Sequence, residues 1–335
     1  MEMTLHAPHL SRKAETMQAA VLTAPRQLRL EEVPLPPVRD GQIRVRLEGC
    51  GVCASNLTPW QGADWMQYPT GPGALGHEGW GIVESVAPDV ARFSPGDRVA
   101  TLFENSYAEY DAGDADAAVH LPPSLDGMPF PGEPIGCAMN IFRRSDIRPG
   151  QWVAIIGAGF LGNLLARLAS HAGAQVIAIS RRGFALETAR RCGAHATIGL
   201  EDRGAIAGRV AELTDGALCE RVIEATGKPE PLALAGEIVS EGGRLVIAGY
   251  HQDAPRLINM QQWNWKGIDV INAHERQLAT CRQGVIEGIQ RAETGLLPID
   301  ELLTHSFPLA LLDKALDITH MRPEGFMKAL VTFDQ

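Results

Sequence analysis

The sequence lacks a cysteine framework. Its 335 residues hold six cysteines, and of these only Cys50 and Cys53 stand close together. No second Cys-x-x-Cys exists to complete a four-cysteine zinc knot. No apolar run is long enough to cross a membrane. The opening stretch MEMTLHAPHLSRKAET has no apolar core of the kind a secretory signal needs. The expected compartment is therefore the cytoplasm, whose reducing pool disfavours structural disulfides. Positive charge is also in deficit, with a formal net charge of -10. That argues against a general nucleic-acid binder, which needs a basic face to neutralise phosphates. There is no internal repeat and no low-complexity block. What remains is 45% hydrophobic and 21% charged, the profile of a soluble globular protein. The length exceeds one ordinary core, so two domains are expected.

The grammar of the chain changes near Glu133. Residues 1–16 read as a polar tail. From Met17 to about Pro122, QAAVLTAP, LRLEEVPL, QIRVRLEG, WGIVESVAP and DRVATLF are strand-like runs separated by Pro and Gly. This half predicts a mostly antiparallel, barrel-like β domain. PIGCAMNIFRRSDI then reads as a helix. Beyond it, strands and helices alternate through WVAII, NLLARLASHAG, QVIAIS, ALETARRCG, LCERVIEATG, PLALAGEIVS and GGRLVIAGY. Such alternation makes a parallel sheet covered on both faces. KGIDVINA reads as an edge strand, and the last segment as helices ending in the strand FMKALVTF.

Gly157-Ala-Gly159-Phe160-Leu161-Gly162 lies between the strand WVAII and the helix that follows. A strand before it and a helix after it are the setting that makes this glycine spacing a dinucleotide site. The first glycine makes the turn, the second admits a pyrophosphate, and the third lets helix and strand approach. The helix N-terminus adds donors and partial positive charge. The plainer alternative is a turn with glycines for packing. The second strand ends at Ser180, where an acid usually holds the ribose hydroxyls of NAD; here Arg181 and Arg182 follow instead. A serine and two guanidiniums suit a 2′-phosphate, so NADP(H) is expected over NAD(H). Alternatively, both arginines are solvated loop residues.

Four potential metal ligands precede the glycine loop: Cys53, His77 and Glu78 of LGHEGWG, and Glu133 of GEPIG. Thiolate, imidazole and carboxylate together suit zinc, with an open position for catalysis. Singly, each has an ordinary packing or loop explanation. Their order is what resembles a family. GVCAS, LGHEGWGIVESV, SPGDRV and GAGFLG in succession resemble the zinc-dependent medium-chain dehydrogenase/reductase superfamily, which is alcohol dehydrogenase-like. EPIGCAMNIFRR is similar to its sorbitol and threonine dehydrogenase branch. The resemblance covers about Met17 to Phe333.

That resemblance implies an α/β plus β fold: a GroES-like β-barrel catalytic domain over 17–135, a doubly wound parallel-sheet Rossmann domain over 136–275, and a C-terminal return to the catalytic domain over 276–335. It implies one catalytic zinc held by Cys53 and His77, with Glu78 as a direct or exchanging ligand and Glu133 at the third-ligand position, directly or through a water. Ser55 matches the hydroxyl that relays the alcohol proton. The implied enzyme is a zinc-dependent NADP(H) alcohol dehydrogenase or carbonyl reductase for a small alcohol or carbonyl substrate, polyol or sugar-like rather than a simple alcohol. A homodimer or homotetramer is implied, joined through edge strands of the Rossmann domain, and KGIDVINA is the candidate strand. Two alternatives remain at this point: a zinc-free enoyl or quinone reductase of the same superfamily, and a non-catalytic NADPH-binding protein.

The sequence departs from the family pattern in several places. The cysteine-rich lobe that often follows GDRV is missing, so at most one zinc is expected per chain. Asn56 stands where relatives usually have Asp, and its amide oxygen is expected to accept a hydrogen bond from His77. Thr58 stands where many relatives have a histidine that passes the proton on. His274, Glu275 and Arg276 could reach the cleft, meet a neighbouring subunit, or form a solvated loop with an internal salt bridge. Trp60, Trp65, Tyr68 and Trp80 either line a substrate pocket or simply pack.

Overall fold

The structure is a computed structural model that describes residues 15–200 and 203–333. Most of the expected tail thus lies outside the described residues. The N-terminal half is β-rich, as expected. β1 (Thr16–Ala24) and β2 (Gln27–Pro34) form an antiparallel hairpin. β3 (Gln42–Gly51) is followed by α1 (Leu57–Gln61), β4 (Gly79–Val86), β5 (Arg98–Thr101), β6 (Tyr110–Asp114) and β7 (Ala118–His120). β3 alternates buried and half-buried residues until Cys50, so one face meets the core.

α2 (Gly132–Ser145) crosses the expected domain boundary at 135/136. Its first turn holds Glu133 and Pro134, and its last turn holds Arg143 and Arg144, a distribution that suits the helix dipole. It ends at Asp146 in a left-handed conformation, φ 48°. The alternating unit then runs β8 (Trp152–Ile156), α3 (Phe160–His171), β9 (Gln175–Ser180), α4 (Gly183–Arg191), β10 (Ala196–Gly199), α5 (Arg203–Leu213), β11 (Cys219–Glu224), α6 (Pro229–Ile238), β12 (Val239–Ile247), α7 (Met260–Lys266) and β13 (Asp269–Asn272). Its six strands are all parallel and lie in the order β10-β9-β8-β11-β12-β13. The order reverses between β8 and β11, and the crevice beyond their carboxyl ends is where such sheets bind ligands. β13 is the edge strand expected at KGIDVINA.

α8 (Leu278–Glu293), α9 (Ile299–Leu302), β14 (His305–Pro308), α10 (Leu312–Met321) and β15 (Ala329–Thr332) complete the chain. β15 pairs antiparallel with the end of β3, Leu330 opposite Gly51. The second sheet therefore reads β14-β15-β3-β4-β5-β7, with β6 also on β3. The C-terminal return is thus built by strand pairing. One core cluster joins the two units: Trp80 and Ala100 of the β domain share it with Leu164 and Ala178 of the parallel-sheet unit, Ile135 of α2 and Val285 of α8.

Candidate active site

The antiparallel pairing of β3 with β4 sets Cys50 opposite Gly79. Cys53, three residues beyond Cys50, and His77 and Glu78, just before Gly79, consequently converge. One donor atom from each of Cys53, His77 and Glu78 lies within 4.8 Å of the other two. They form the metal-ligand group found among the described residues. Glu133 stands outside that triangle, and its Oε1 accepts the Cys137 thiol at 3.1 Å. Cys50 is fully buried and packs beside Val52 and Val331.

His77 Nδ1 lies 2.9 Å from the Leu75 carbonyl. A carbonyl only accepts, so Nδ1 carries a proton and Nε2 is the nitrogen that would serve a metal once deprotonated. Asn56 does not brace His77 as expected. Its Nδ2 donates to the same Leu75 carbonyl at 2.6 Å, and its Oδ1 faces the Ser55 hydroxyl at 3.4 Å. The two side chains share one acceptor, and Asn56 acts on His77 only through the Leu75 backbone. Burial draws the imidazole down, but the Cys53 hydrogen bond and the negative charges of Cys53, Glu133 and Glu78 raise it well above its ordinary value. Burial raises the Glu133 carboxyl, with Glu78 adding to it and His77 opposing.

A residue absent from the sequence reading completes this centre. Lys328, just before β15, is 5% exposed. Its Nζ lies 2.6 Å from Glu78 Oε2 and 3.3 Å from the Val52 carbonyl, and sits 5.0 Å over the Phe160 ring. Burial lowers its affinity for the proton, yet Glu78, Cys53 and Glu133 together leave it raised. The Glu78 Oε2 contact is a short, charge-assisted one. The other oxygen, Oε1, is buried without a hydrogen-bond partner. A wholly buried carboxylate with an oxygen left over is what a cation would satisfy, so the donor set fits zinc. Gly51 makes room for it: a Cβ there would sit 1.8 Å from Glu78 Oε2.

Beside this centre opens a cleft of about 380 Å³, bounded by Ser55, Asn56, Trp65, His77, Glu104 and Tyr250 among others. Of the four flagged aromatics only Trp65 lines it, at 59% exposed. Trp60 and Trp80 are core residues, and the Tyr68 hydroxyl bonds the Pro59 carbonyl. Gln252, in the loop after β12, donates to the Ser55 carbonyl at 2.9 Å and to the Thr58 hydroxyl at 3.0 Å. It ties the loop bearing Ser55 to the parallel-sheet unit. His274 stacks on Tyr250 with ring centroids 5.1 Å apart, so this part of the flagged cluster reaches the cleft wall indirectly. Glu275 forms no salt bridge with Arg276; its Oε1 accepts the backbone N–H groups of Arg276 and Gln277.

The glycine loop lies at the carboxyl end of β8. Gly157 has φ 105°, and a Cβ at Gly162 would sit 2.0 Å from the Gly157 carbonyl. At Gly159 a Cβ would meet nothing within 4 Å, and no side chain caps α3 there. Open space over an uncapped helix N-terminus fits a pyrophosphate. The Phe160 and Leu161 side chains pack into the joint core, which leaves their backbone groups for a ligand. Across the switch point, Glu224 ends β11 with no exposure. It accepts Thr226 N at 2.6 Å and His251 Nε2 at 2.9 Å, and Arg256 Nε donates to His251 Nδ1 at 2.8 Å. This network braces the two loops that follow β11 and β12. Ser180, Arg181 and Arg182 follow one another at the end of β9.

The family model for zinc-binding dehydrogenases matches residues 161–291, and that for the alcohol dehydrogenase GroES-like domain matches residues 39–141. An erythritol/L-threitol dehydrogenase of Mycolicibacterium smegmatis is 27% identical over 363 residues, covering 95% of this chain and 98% of the relative. An alcohol dehydrogenase of Geobacillus stearothermophilus is 30% identical over 268 residues, covering 70% of this chain and 77% of the relative. Among solved structures, galactitol-1-phosphate dehydrogenase from Escherichia coli superposes with a TM-score of 0.80 at 24% identity, over 94% of this chain and 100% of that one. That likeness speaks to the fold alone.

Proposed function

The chain belongs to the medium-chain dehydrogenase/reductase superfamily, alcohol dehydrogenase-like, and from that premise we propose that it is a zinc-dependent NADP(H) oxidoreductase interconverting an alcohol with a ketone or aldehyde by hydride transfer. The observation that carries the proposal is the Cys53–His77–Glu78 triangle, with its buried, unbonded carboxylate oxygen, whose His77 lines the cleft. Cys53, His77 and Glu78 would hold the zinc, and Glu133 would complete the set directly or through a water. When bound, the zinc supplies Lewis acidity to the substrate oxygen.

The chain's own residues do the rest. Ser55 lines the cleft and is the group that takes or returns the alcohol proton. Gln252 donates to the Ser55 carbonyl and to the Thr58 hydroxyl, which holds the loop bearing Ser55 in place. The glycine loop and the α3 N-terminus bind the nicotinamide cofactor's pyrophosphate. Ser180, Arg181 and Arg182 support NADP(H) over NAD(H). A cleft lined by Glu104, Asn105 and Gln252 together with Trp65 and Tyr250 supports a polyhydroxylated substrate: amides and acid suit hydroxyls, and aromatic faces suit C–H groups. The Mycolicibacterium relative, named for erythritol and L-threitol, supports the same choice. A homodimer or homotetramer is proposed through β13, whose Val270 is 41% exposed near the exposed Trp265.

The test is metal analysis with paired kinetics. About one zinc per chain, activity lost to a chelator, and a higher kcat/KM for NADPH than for NADH are expected. Less than about half a zinc per chain, with chelator-resistant reduction of an activated alkene, would replace this reading with the zinc-free one.

A further inference from the structure

Arg182, at the end of β9, bonds the loop that follows α10 in the other unit, and that loop begins with a third guanidinium, Arg322. Arg322 closes the C-terminus of α10 in a left-handed conformation, φ 49°. α10 packs on β2, β14 and β15, so it belongs to the β domain. The Arg322 backbone N–H donates to the Ile318 carbonyl at 2.8 Å, and its Nε to the Thr319 carbonyl at 3.2 Å. Its two terminal nitrogens have no partner among the described residues, and Arg181 has no carboxylate partner among them either. Arg182 reaches the same loop, where its Nη1 donates to the Phe326 carbonyl.

The three charges feel one another. Burial and then Arg322 pull the Arg182 pKa down, and Arg181 and Arg322, both exposed, repel each other. Glu324 is the carboxylate that opposes them, acting on Arg182. Three guanidiniums against one carboxylate leave two positive charges unbalanced, and a phosphate monoester carries about −1.5 to −2 near neutral pH. The surroundings suit such a group. The Ser180 oxygen accepts Arg182 N at 3.5 Å, leaving its hydroxyl proton free to donate. The adjoining N-terminus of α4 has no side-chain cap.

Resting on the NADP(H) reading above, we infer that Arg322 is a third ligand of the cofactor 2′-phosphate, supplied by the β domain from across the cleft. Discrimination between the two cofactors is then divided between domains. A 2′-phosphate offsets the repulsion between Arg181 and Arg322, which NADH cannot do.

The test is calorimetric titration of the full chain with NADPH, NADH and 2′-AMP. It compares the parent protein with Arg181→Gln, Arg322→Gln and Arg322→Lys. Arg322→Gln should weaken NADPH and 2′-AMP about tenfold or more and leave NADH within about twofold, because only the 2′-phosphate contact is lost. Arg322→Lys should keep most of the preference, since the positive charge remains. If the parent protein shows no preference for NADPH, the NADP(H) reading falls and this inference with it. If the parent prefers NADPH and Arg181→Gln loses that preference while Arg322→Gln keeps it, the role of Arg322 alone is refuted. Equal weakening of NADH and NADPH in both Arg322 variants would make its role structural and likewise overturn the inference.

Discussion

Replacing Lys328 by Met tests the centre of the argument. Lys328 Nζ and Glu78 Oε2 are 2.6 Å apart, with side chains 6% and 0% exposed. Methionine fills a similar volume and removes the charge. Glu78 is then left as a buried, uncompensated carboxylate, a situation that costs about 3–5 kcal/mol. At about 2–4 °C per kcal/mol for a unit of this size, the melting temperature should fall by about 10 °C. The pH dependence has a definite sign. The Lys328 pKa is raised above its ordinary 10.5, so its contribution is complete below that value and is lost only as pH rises through the folded one. The deficit should therefore be flat from about pH 6 to 9. The assay is urea unfolding of zinc-loaded and chelated protein over that range. Adding Glu78→Gln to Lys328→Met should recover most of the loss in the chelated protein. A loss under about 1 kcal/mol, or a double variant no more stable than the single one, would refute the claim that the two charges hold each other.

Four further outcomes are expected. Gly51→Ala forces a methyl group to within 1.8 Å of the pinned Glu78 oxygen, so it should cost about 1–3 kcal/mol and lower bound zinc; full zinc with an unchanged melting temperature would contradict the crowding. Cys53→Ser should remove most zinc and turnover while NADPH affinity, read by fluorescence titration, stays within about twofold; normal turnover would dispose of the metal mechanism. Burial raises Asp111 from 3.8 to about 6 despite hydrogen bonds from Ser106, Asn105 and Ala112, so its share of stability is present below about pH 4 and lost as pH rises through about 6. Urea midpoints of the parent protein should accordingly fall relative to Asp111→Asn across that window, by up to about 3 kcal/mol, and parallel curves would sink the assignment. Val270→Lys on β13 should shift the protein to a smaller species in light scattering, and an unchanged mass would remove that strand from the interface.

The sequence made the strands and helices legible where periodicity and punctuation agreed. WVAII, QVIAIS and the helix between them needed only local patterning and the glycine loop. Cys53, His77 and Glu78 were readable from their donor chemistry and the order of their motifs, and the pairing of β3 with β4 then brings them together. Lys328 was not readable in the same way. It reaches Glu78 only because β15 pairs with β3 after the whole parallel-sheet unit has intervened, and pairing over such distances leaves no local trace. The one clue was a lone lysine opening an otherwise apolar strand in FMKALVTF. Tyr250 and Gln252 were missed for a related reason. They follow β12 beyond a strand's carboxyl end, a general location for ligands, but only the assembled sheet shows which loops meet Ser55. Asn56 was expected to touch His77 because the two positions are coupled in relatives. An amide that can donate finds the Leu75 carbonyl, which an ionised Asp could not do.

The pairing of β15 with β3 also orders events during folding. Everything the parallel sheet needs lies in one uninterrupted stretch, whereas the β domain must join pieces on either side of that stretch. Loop closure over so long an interval is entropically expensive and slow. The nucleotide platform should therefore assemble first and bring the two ends together. Until β15 docks, Glu78 lacks the Lys328 counter-ion and the end of β3, Gly49 to Gly51, lacks that partner. In a refolding experiment, nucleotide binding should return before zinc retention, with the lag set by the docking of β15.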